Sequence, residues 1–294
     1  MKTPSKNTRL WAAGVVAGAA LTIVQPTHAQ TYYAIDSDLP NGNLGSVAIS
    51  PPSTIALSTA QGVTYNNAGD IAVSYYGGTI NIYSPNGLYL STFANLGSGN
   101  GGLVYDSSGD LFISHANSVL EYGPTGNFIS TFASVSGANG LAFDSAGDLY
   151  AASGNNNAVY EYDPSGDLLH TYTAGDMNGA FGVAFTQTGN LLVSSFNGSV
   201  IDEFSTSGSY LGDFATGLSG PAGIAADGAG DIYEVDRNTQ TINELNSSGT
   251  IVNSYSTPSI LPTYVAVQPA PEPSMMAMAG VGGLALLGLR FRRK

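Results

Sequence analysis

The residue pattern closest to metal chemistry is Asp-x-x-Gly-Asp, at Asp106 to Asp110, Asp144 to Asp148 and Asp227 to Asp231. Clustered carboxylate oxygens are what a hard cation such as calcium requires. The same residue type also bonds its own turn backbone, and copies some forty residues apart read as three turns before they read as one site. Turn stabilisation is the expected role, no metal-ligand set is assigned, and calcium is the one ion the pattern leaves open as a cofactor. Nucleophilic chemistry has less to work with. The chain has no cysteine and three histidines, His28, His115 and His170, and no Ser-His-Asp or Gly-x-Ser-x-Gly arrangement. No catalytic residue is assigned.

A second set of residues could recognise a ligand without transforming it. Tyr75, Tyr76, His115, Asn117 and Asn156 fall in Gly- and Asn-rich breaks between apolar runs, as do Phe196, Asn197, Asp236 and Arg237. Asn139, Asn178 and Phe181 fall in a second set of breaks. Amides with flat aromatic rings, almost without cations, suit a neutral polyhydroxylated ligand such as an extracellular polysaccharide. Asn and Gly also dominate ordinary loops, and both readings stay open.

The elements that must position these loops follow from an internal repeat. Gly62 to Asp70 recurs as Gly102 to Asp110, Gly140 to Asp148, Gly182 to Asn190 and Gly223 to Asp231, at spacings of 40, 38, 42 and 41 residues. Each unit holds four short runs rich in β-branched and aromatic residues, bounded by Gly, Pro, Asn, Asp and Ser, which predicts four strands and no helix. Four antiparallel strands in about forty residues is the period of a β-propeller blade. The segment from Gly220 to Tyr233 resembles the NHL repeat and the related virginiamycin-lyase-type propellers. That resemblance implies the fold over residues 62 to 256 and leaves the activity open, because such propellers host many functions.

Two remnants flank the five units. Pro262 to Val267 matches an inner strand without its blade, while Tyr32 to Ile35, Ser46 to Ile49 and Thr54 to Leu57 match the other three strands of a blade. Together they predict a sixth four-stranded blade closed by strands from both ends, hence an all-β, six-bladed propeller over residues 30–268. A solenoid of stacked units is the alternative. Within the blades, Glu121, Glu161, Glu203 and Glu244 recur in the third strand and are expected on a solvated face. Phe93, Phe132, Tyr172, Phe214 and Tyr255 recur in the fourth and are expected to pack between blades.

Charge narrows the partners. The chain carries 8 basic and 21 acidic residues, and seven of the basic ones sit at the two termini. Residues 30–268 keep Arg237 alone against twenty acids, a formal charge of −19. Such a body cannot neutralise phosphates, which excludes nucleic acid as a partner. It favours solubility outside the cell.

The termini read as addresses. Lys2, Lys6 and Arg9, then the apolar run Leu10 to Val24, then Thr27-His28-Ala29 form a secretory signal peptide over residues 1–29, with cleavage expected between Ala29 and Gln30. At the other end stand Pro271, Glu272 and Pro273, an uncharged run, and the basic residues Arg290, Arg292, Arg293 and Lys294. This order resembles the PEP-CTERM sorting tail of bacterial envelope proteins. The tail, residues 269–294, is expected to contain one transmembrane helix over 275–291. Its fifteen most apolar residues, Met275 to Leu289, span roughly 22 Å against a bilayer core of about 30 Å. The basic end is expected on the cytoplasmic side.

The resemblance implies an exosortase-type processing enzyme and the secretion machinery as partners, and the membrane as a partner through the helix before processing. The alternative is an anchor that is never cut. The body is thus expected to be an exported binding or structural module of the cell surface or extracellular matrix, not an enzyme. The other reading is a metal-dependent lactonase or lyase with its site at the propeller channel, since related enzymes hold a metal or a catalytic histidine there.

Overall fold

The structure is a computed structural model that describes residues 32–36, 45–49, 53–57, 60–85, 87–97, 99–174, 176–257 and 262–267. The expected signal peptide, the sorting tail and its helix lie outside these residues. Among the described residues no helix is long and apolar enough to cross a membrane.

Three strands come first, β1 (Tyr32–Asp36), β2 (Gly45–Ile49) and β3 (Ser53–Leu57). Blade one follows with β4 (Ala60–Tyr65), β5 (Ile71–Tyr75), β6 (Thr79–Tyr83) and β7 (Tyr89–Asn95). Blade two is β8 (Asn100–Tyr105), β9 (Leu111–His115), β10 (Ser118–Tyr122) and β11 (Phe128–Ser134). Blade three is β12 (Ala138–Phe143), β13 (Leu149–Ser153), β14 (Ala158–Tyr162) and β15 (Leu168–Tyr172). Blade four is β16 (Ala180–Phe185), β17 (Leu191–Ser195), β18 (Val200–Phe204) and β19 (Tyr210–Thr216). Blade five is β20 (Pro221–Ala226), β21 (Ile232–Asp236), β22 (Thr241–Leu245) and β23 (Ile251–Ser256), after which β24 (Pro262–Val267) ends the described chain. Each blade is a four-stranded antiparallel sheet in sequence order.

The expected sixth four-stranded blade does not form, so the structure has five blades rather than six. Its strands make two separate ladders, β1 with β24 and β2 with β3. The pairing of the two chain ends is as expected, with Tyr32 opposite Val267. What is missing is the ladder between β1 and β2. In the five blades the second and third strands are joined by two to four residues, which fixes their register, whereas eight residues including Pro40 separate β1 from β2.

The ring is held by close backbone approach and by apolar clusters between blades. The glycine that opens each repeat lies on an inner strand against the next blade. A Cβ at Gly182 would sit 2.5 Å from the Ala222 carbonyl oxygen, and one at Gly140 would sit 2.6 Å from that of Phe181. Hydroxyls staple neighbouring blades as well, Ser74 Oγ donating to the Gly101 carbonyl at 3.3 Å and Ser194 Oγ to that of Ala222 at 2.5 Å. The strand β24 closes the circle by alternation. Val265 and Val267 pack with Tyr233 and Ile242 of blade five, while Tyr264 and Ala266 pack with Val63 and Val73 of blade one. Burial of each such side chain contributes about 1.5–3 kcal/mol.

The turn reading of the Asp pattern is confirmed. Asp144 Oδ1 accepts the backbone N–H groups of Ala146 and Asp148 at 2.8 and 2.9 Å, and Asp106 and Asp227 do the same two and four residues on. Phe132 and Tyr172 pack between blades as expected. The recurring glutamates differ from expectation. They are buried or half-buried and each accepts a hydrogen bond inside its own blade, Glu161 from the Tyr172 hydroxyl at 2.7 Å and Glu203 from Asn190 Nδ2 at 2.8 Å. A carboxylate with such a donor has no need of bulk water on every side.

Candidate functional site

Two loop sets share the face opposite the Asp turns, as hydrogen bonds between them show. The backbone N–H of Leu96 reaches the Gly78 carbonyl, that of Val135 the Asn117 carbonyl, and that of Thr257 the Gln240 carbonyl, at 2.8–2.9 Å. The loop joining second and third strands turns through positive φ, at Ala116 (53°) and Ser199 (61°) among others. That turn brings its carbonyls round to the incoming segment.

Most of the expected ligand amides are engaged in these loops. Asn117 Oδ1 accepts from Gly137 N–H at 3.0 Å, Asn139 Nδ2 donates to the Ala180 carbonyl at 3.0 Å, and Asn156 Nδ2 donates to the Tyr160 hydroxyl at 2.8 Å. Asn178 and Asn197 meet at 3.5 Å. Asp236 is buried and accepts the backbone N–H of Ser219 at 2.7 Å and of Thr239 at 3.2 Å, and Arg237 joins the same loop through its backbone N–H to the Gly220 carbonyl at 3.1 Å.

The two neighbouring tyrosines part company. Tyr76 is exposed, whereas Tyr75 packs under the loops with its hydroxyl 2.5 Å from that of Tyr83, and burial pushes its phenol well above the ordinary range. His115 occupies the same strand position as Ser153, Ser195 and Asp236, which tie down the incoming loop. Its Nε2 is instead buried without a partner.

The aromatic residues do converge, on the channel. The ring of Phe181 lies 5.2 Å from that of Tyr264 and 6.2 Å from that of Phe196. Tyr264 reaches from β24 to blade two, where the Gly102 backbone N–H meets its hydroxyl, and burial raises its phenol pKa. These rings bring together the inner strands β16 and β24 and the loop after β17. From the turn side a cavity of about 410 Å³ enters between the inner strands, lined by residues such as Val63, Ala142, Val183, Ala184, Ala225 and Ala266. No carboxylate, imidazole or basic group is among its described lining residues.

Two carboxylate clusters lie away from the channel. Asp144, Asp148 and Glu161 belong to a turn and a strand, where Asp144 Oδ1 accepts two turn N–H groups and Glu161 Oε2 accepts from the Tyr172 hydroxyl. Asp176, Asp202 and Asp213 are a different matter. One oxygen of each lies within 4.8 Å of the others, and Asp202 is fully buried with neither oxygen hydrogen-bonded. This group was not singled out from the sequence. The signal was present: when the repeats are aligned, the middle of the third strand reads Asn81, Leu120, Tyr160, Asp202 and Asn243, and only blade four has an acid there.

Residues 269–294 match the PEP-CTERM protein-sorting motif. This chain carries a PEP-CTERM sorting tail. The tail implies an exported protein processed by an exosortase, and the body ahead of it is a β-propeller. Among curated proteins no match to the chain is found. Solved structures share the fold. A protein of unknown function from Bacteroides caccae superposes with a TM-score of 0.64 at 14% identity, covering 81% of this chain and 98% of that one. A chain of the nidogen/laminin complex gives 0.68 at 12% identity with the same coverage. A catalytically inactive virginiamycin B lyase from Staphylococcus aureus, with quinupristin, gives 0.55 at 15% identity over 82% of this chain and 80% of that one. At these identities the likeness is one of fold.

Proposed function

We propose that this PEP-CTERM protein is a non-enzymatic propeller, exported by a cleaved signal peptide and held at the membrane with its body outside. An exosortase-type enzyme then processes the tail and leaves the body at the cell surface or in the extracellular matrix as a binding or structural module. The observation that carries this reading is the position of the sorting motif, which begins two residues after the strand that closes the ring. Intact mass of the protein from cells and from medium tests it. A species beginning at Gln30 and ending near Pro271 to Ser274 is expected, and a full-length membrane form alone would restore a permanent anchor.

Two finer readings have their own tests. Polysaccharide recognition would use the loop face, where Tyr76 stands exposed and Phe196 half-exposed, and glycan-array binding unaffected by Tyr76→Ala and Phe196→Ala would remove it. A lactonase or lyase at the channel is favoured by the lyase among the structural neighbours. Turnover of quinupristin or of a sugar lactone by the purified protein would establish it.

A further inference from the structure

The internal repeat supplies controls for one position in blade four. Opposite each other on the third and fourth strands stand Asn81 and Thr92 in blade one, and Asn243 and Ser254 in blade five. Both pairs are neutral and joined by hydrogen bonds, Thr92 Oγ1 to Asn81 Oδ1 at 3.0 Å and Ser254 Oγ to Asn243 Oδ1 at 2.7 Å. In blade four the pair is Asp202 and Asp213. Two carboxylates face each other across the ladder, where like charges destabilise a sheet.

A third acid makes the conflict worse. Asp176, on the loop entering blade four, brings its carboxylate to the same point. Asp202 cannot escape to water, since it shows no exposed surface and both its oxygens lack a hydrogen-bond partner. Burial, and then the charges of Asp176 and Asp213, push its carboxyl up to about 7. The Tyr210 hydroxyl relieves a little of this but is committed to Asp213 Oδ1 at 2.6 Å. No lysine exists in residues 30–268, and the single arginine there, Arg237, sits in blade five. A buried charge without a partner costs several kcal/mol, and Asp202 is such a group with two further acids brought against it, so the arrangement implies a missing counter-charge.

We propose that Asp176, Asp202 and Asp213 bind one hard divalent cation, calcium, which clamps the entering loop of blade four to its two outer strands. The spacing fits. Calcium holds oxygens at about 2.3–2.6 Å, so ligand oxygens on opposite sides of one ion stand up to about 5 Å apart, and these three lie within 4.8 Å of one another. The donor set is all oxygen, which suits calcium better than zinc. Asp176 and Asp213 are exposed, so water can complete the shell. The site does not depend on the export reading; only its filling by extracellular calcium does.

The test uses the full chain in detergent, stripped with a chelator. Added calcium is expected to raise the melting temperature by several degrees, with a Kd of about 10⁻⁴–10⁻³ M, the range of extracellular modules. Terbium, as a calcium substitute, should luminesce on tyrosine excitation at one ion per chain, because Tyr210 touches Asp213. Asp213→Asn should weaken both signals at least tenfold, and Asp202→Asn should abolish them while leaving the chelated protein no less stable. Asp148→Asn, in the other acidic cluster, should change neither. No thermal shift at about 10 mM calcium, or signals that survive both Asp202→Asn and Asp213→Asn, would overturn the proposal. Because Asp213 is exposed, its variant decides the matter even where Asp202→Asn fails to fold.

Discussion

Blades four and five meet the same problem, a polar residue in the middle of a buried third strand, and solve it differently. In blade five Asn243 faces Ser254 and also donates Nδ2 to Glu234 Oε2 at 2.9 Å, so a short neutral chain reaches one oxygen of a buried acid and leaves only its Oε1 without a partner. In blade four Asp202 and Asp213 replace the neutral pair and leave the buried acid without a donor. The difference teaches that the repeat tolerates a polar group at this depth on condition that something supplies protons or positive charge. Blade five does so with an amide and a hydroxyl, whereas in blade four the Tyr210 hydroxyl donates to Asp213 and leaves Asp202 without a donor.

The largest effect should come from blade five and pH. Burial first, and then the charge of Asp236, lift the Glu234 carboxyl to about 8, against a partial lowering by Asn243. The folded state therefore holds a proton that the unfolded state releases above about pH 4.5, and stability falls as pH rises from there through about 8. The loss is expected to reach about 5 kcal/mol, and Glu234→Gln should flatten that part of a pH series of denaturation midpoints. An equally steep series in Glu234→Gln would break the contrast.

Next comes Asn243→Asp, which gives blade five the acid that blade four has. It removes the donor to Glu234 and adds a like charge, at an expected cost of about 2–4 kcal/mol at pH 7, read by chemical denaturation. The reverse exchange sharpens the comparison from the other side. Asp202→Asn with Asp213→Thr installs the blade-one pair and should stabilise the chelated protein by about 1–3 kcal/mol. The smallest change is expected at a half-buried turn, where Asp106→Ala removes the acceptor of two backbone N–H groups and should cost about 1 kcal/mol.

What was legible in the sequence was whatever repeats. The forty-residue period gave the strands, and Asp106, Asp144 and Asp227 gave turns whose bonds follow from local chain geometry alone. The pairing of β1 with β24 was legible because both remnants match parts of one blade. The break between β1 and β2 was not, because sequence similarity names strands without testing whether a connection holds their register. The meeting of Asp176 with Asp202 and Asp213 was missed for a related reason: only strand register and the path of an entering loop bring the three to one point. The loop amides erred in the other direction. Asn117, Asn139 and Asn156 look available in the sequence, and the fold spends them on neighbouring backbone and hydroxyl groups.

The ladder between β1 and β24 also sets a timetable. One of its strands is among the first parts of the body to be made and the other is the last, with Tyr32 waiting for Val267. Five blades can fold as they emerge, but the circle cannot shut until the chain has been translated into its sorting tail. Closure of so distant a contact is slow compared with pairing inside a blade. Until Val267 has been made, the circle stays open between blade five and blade one.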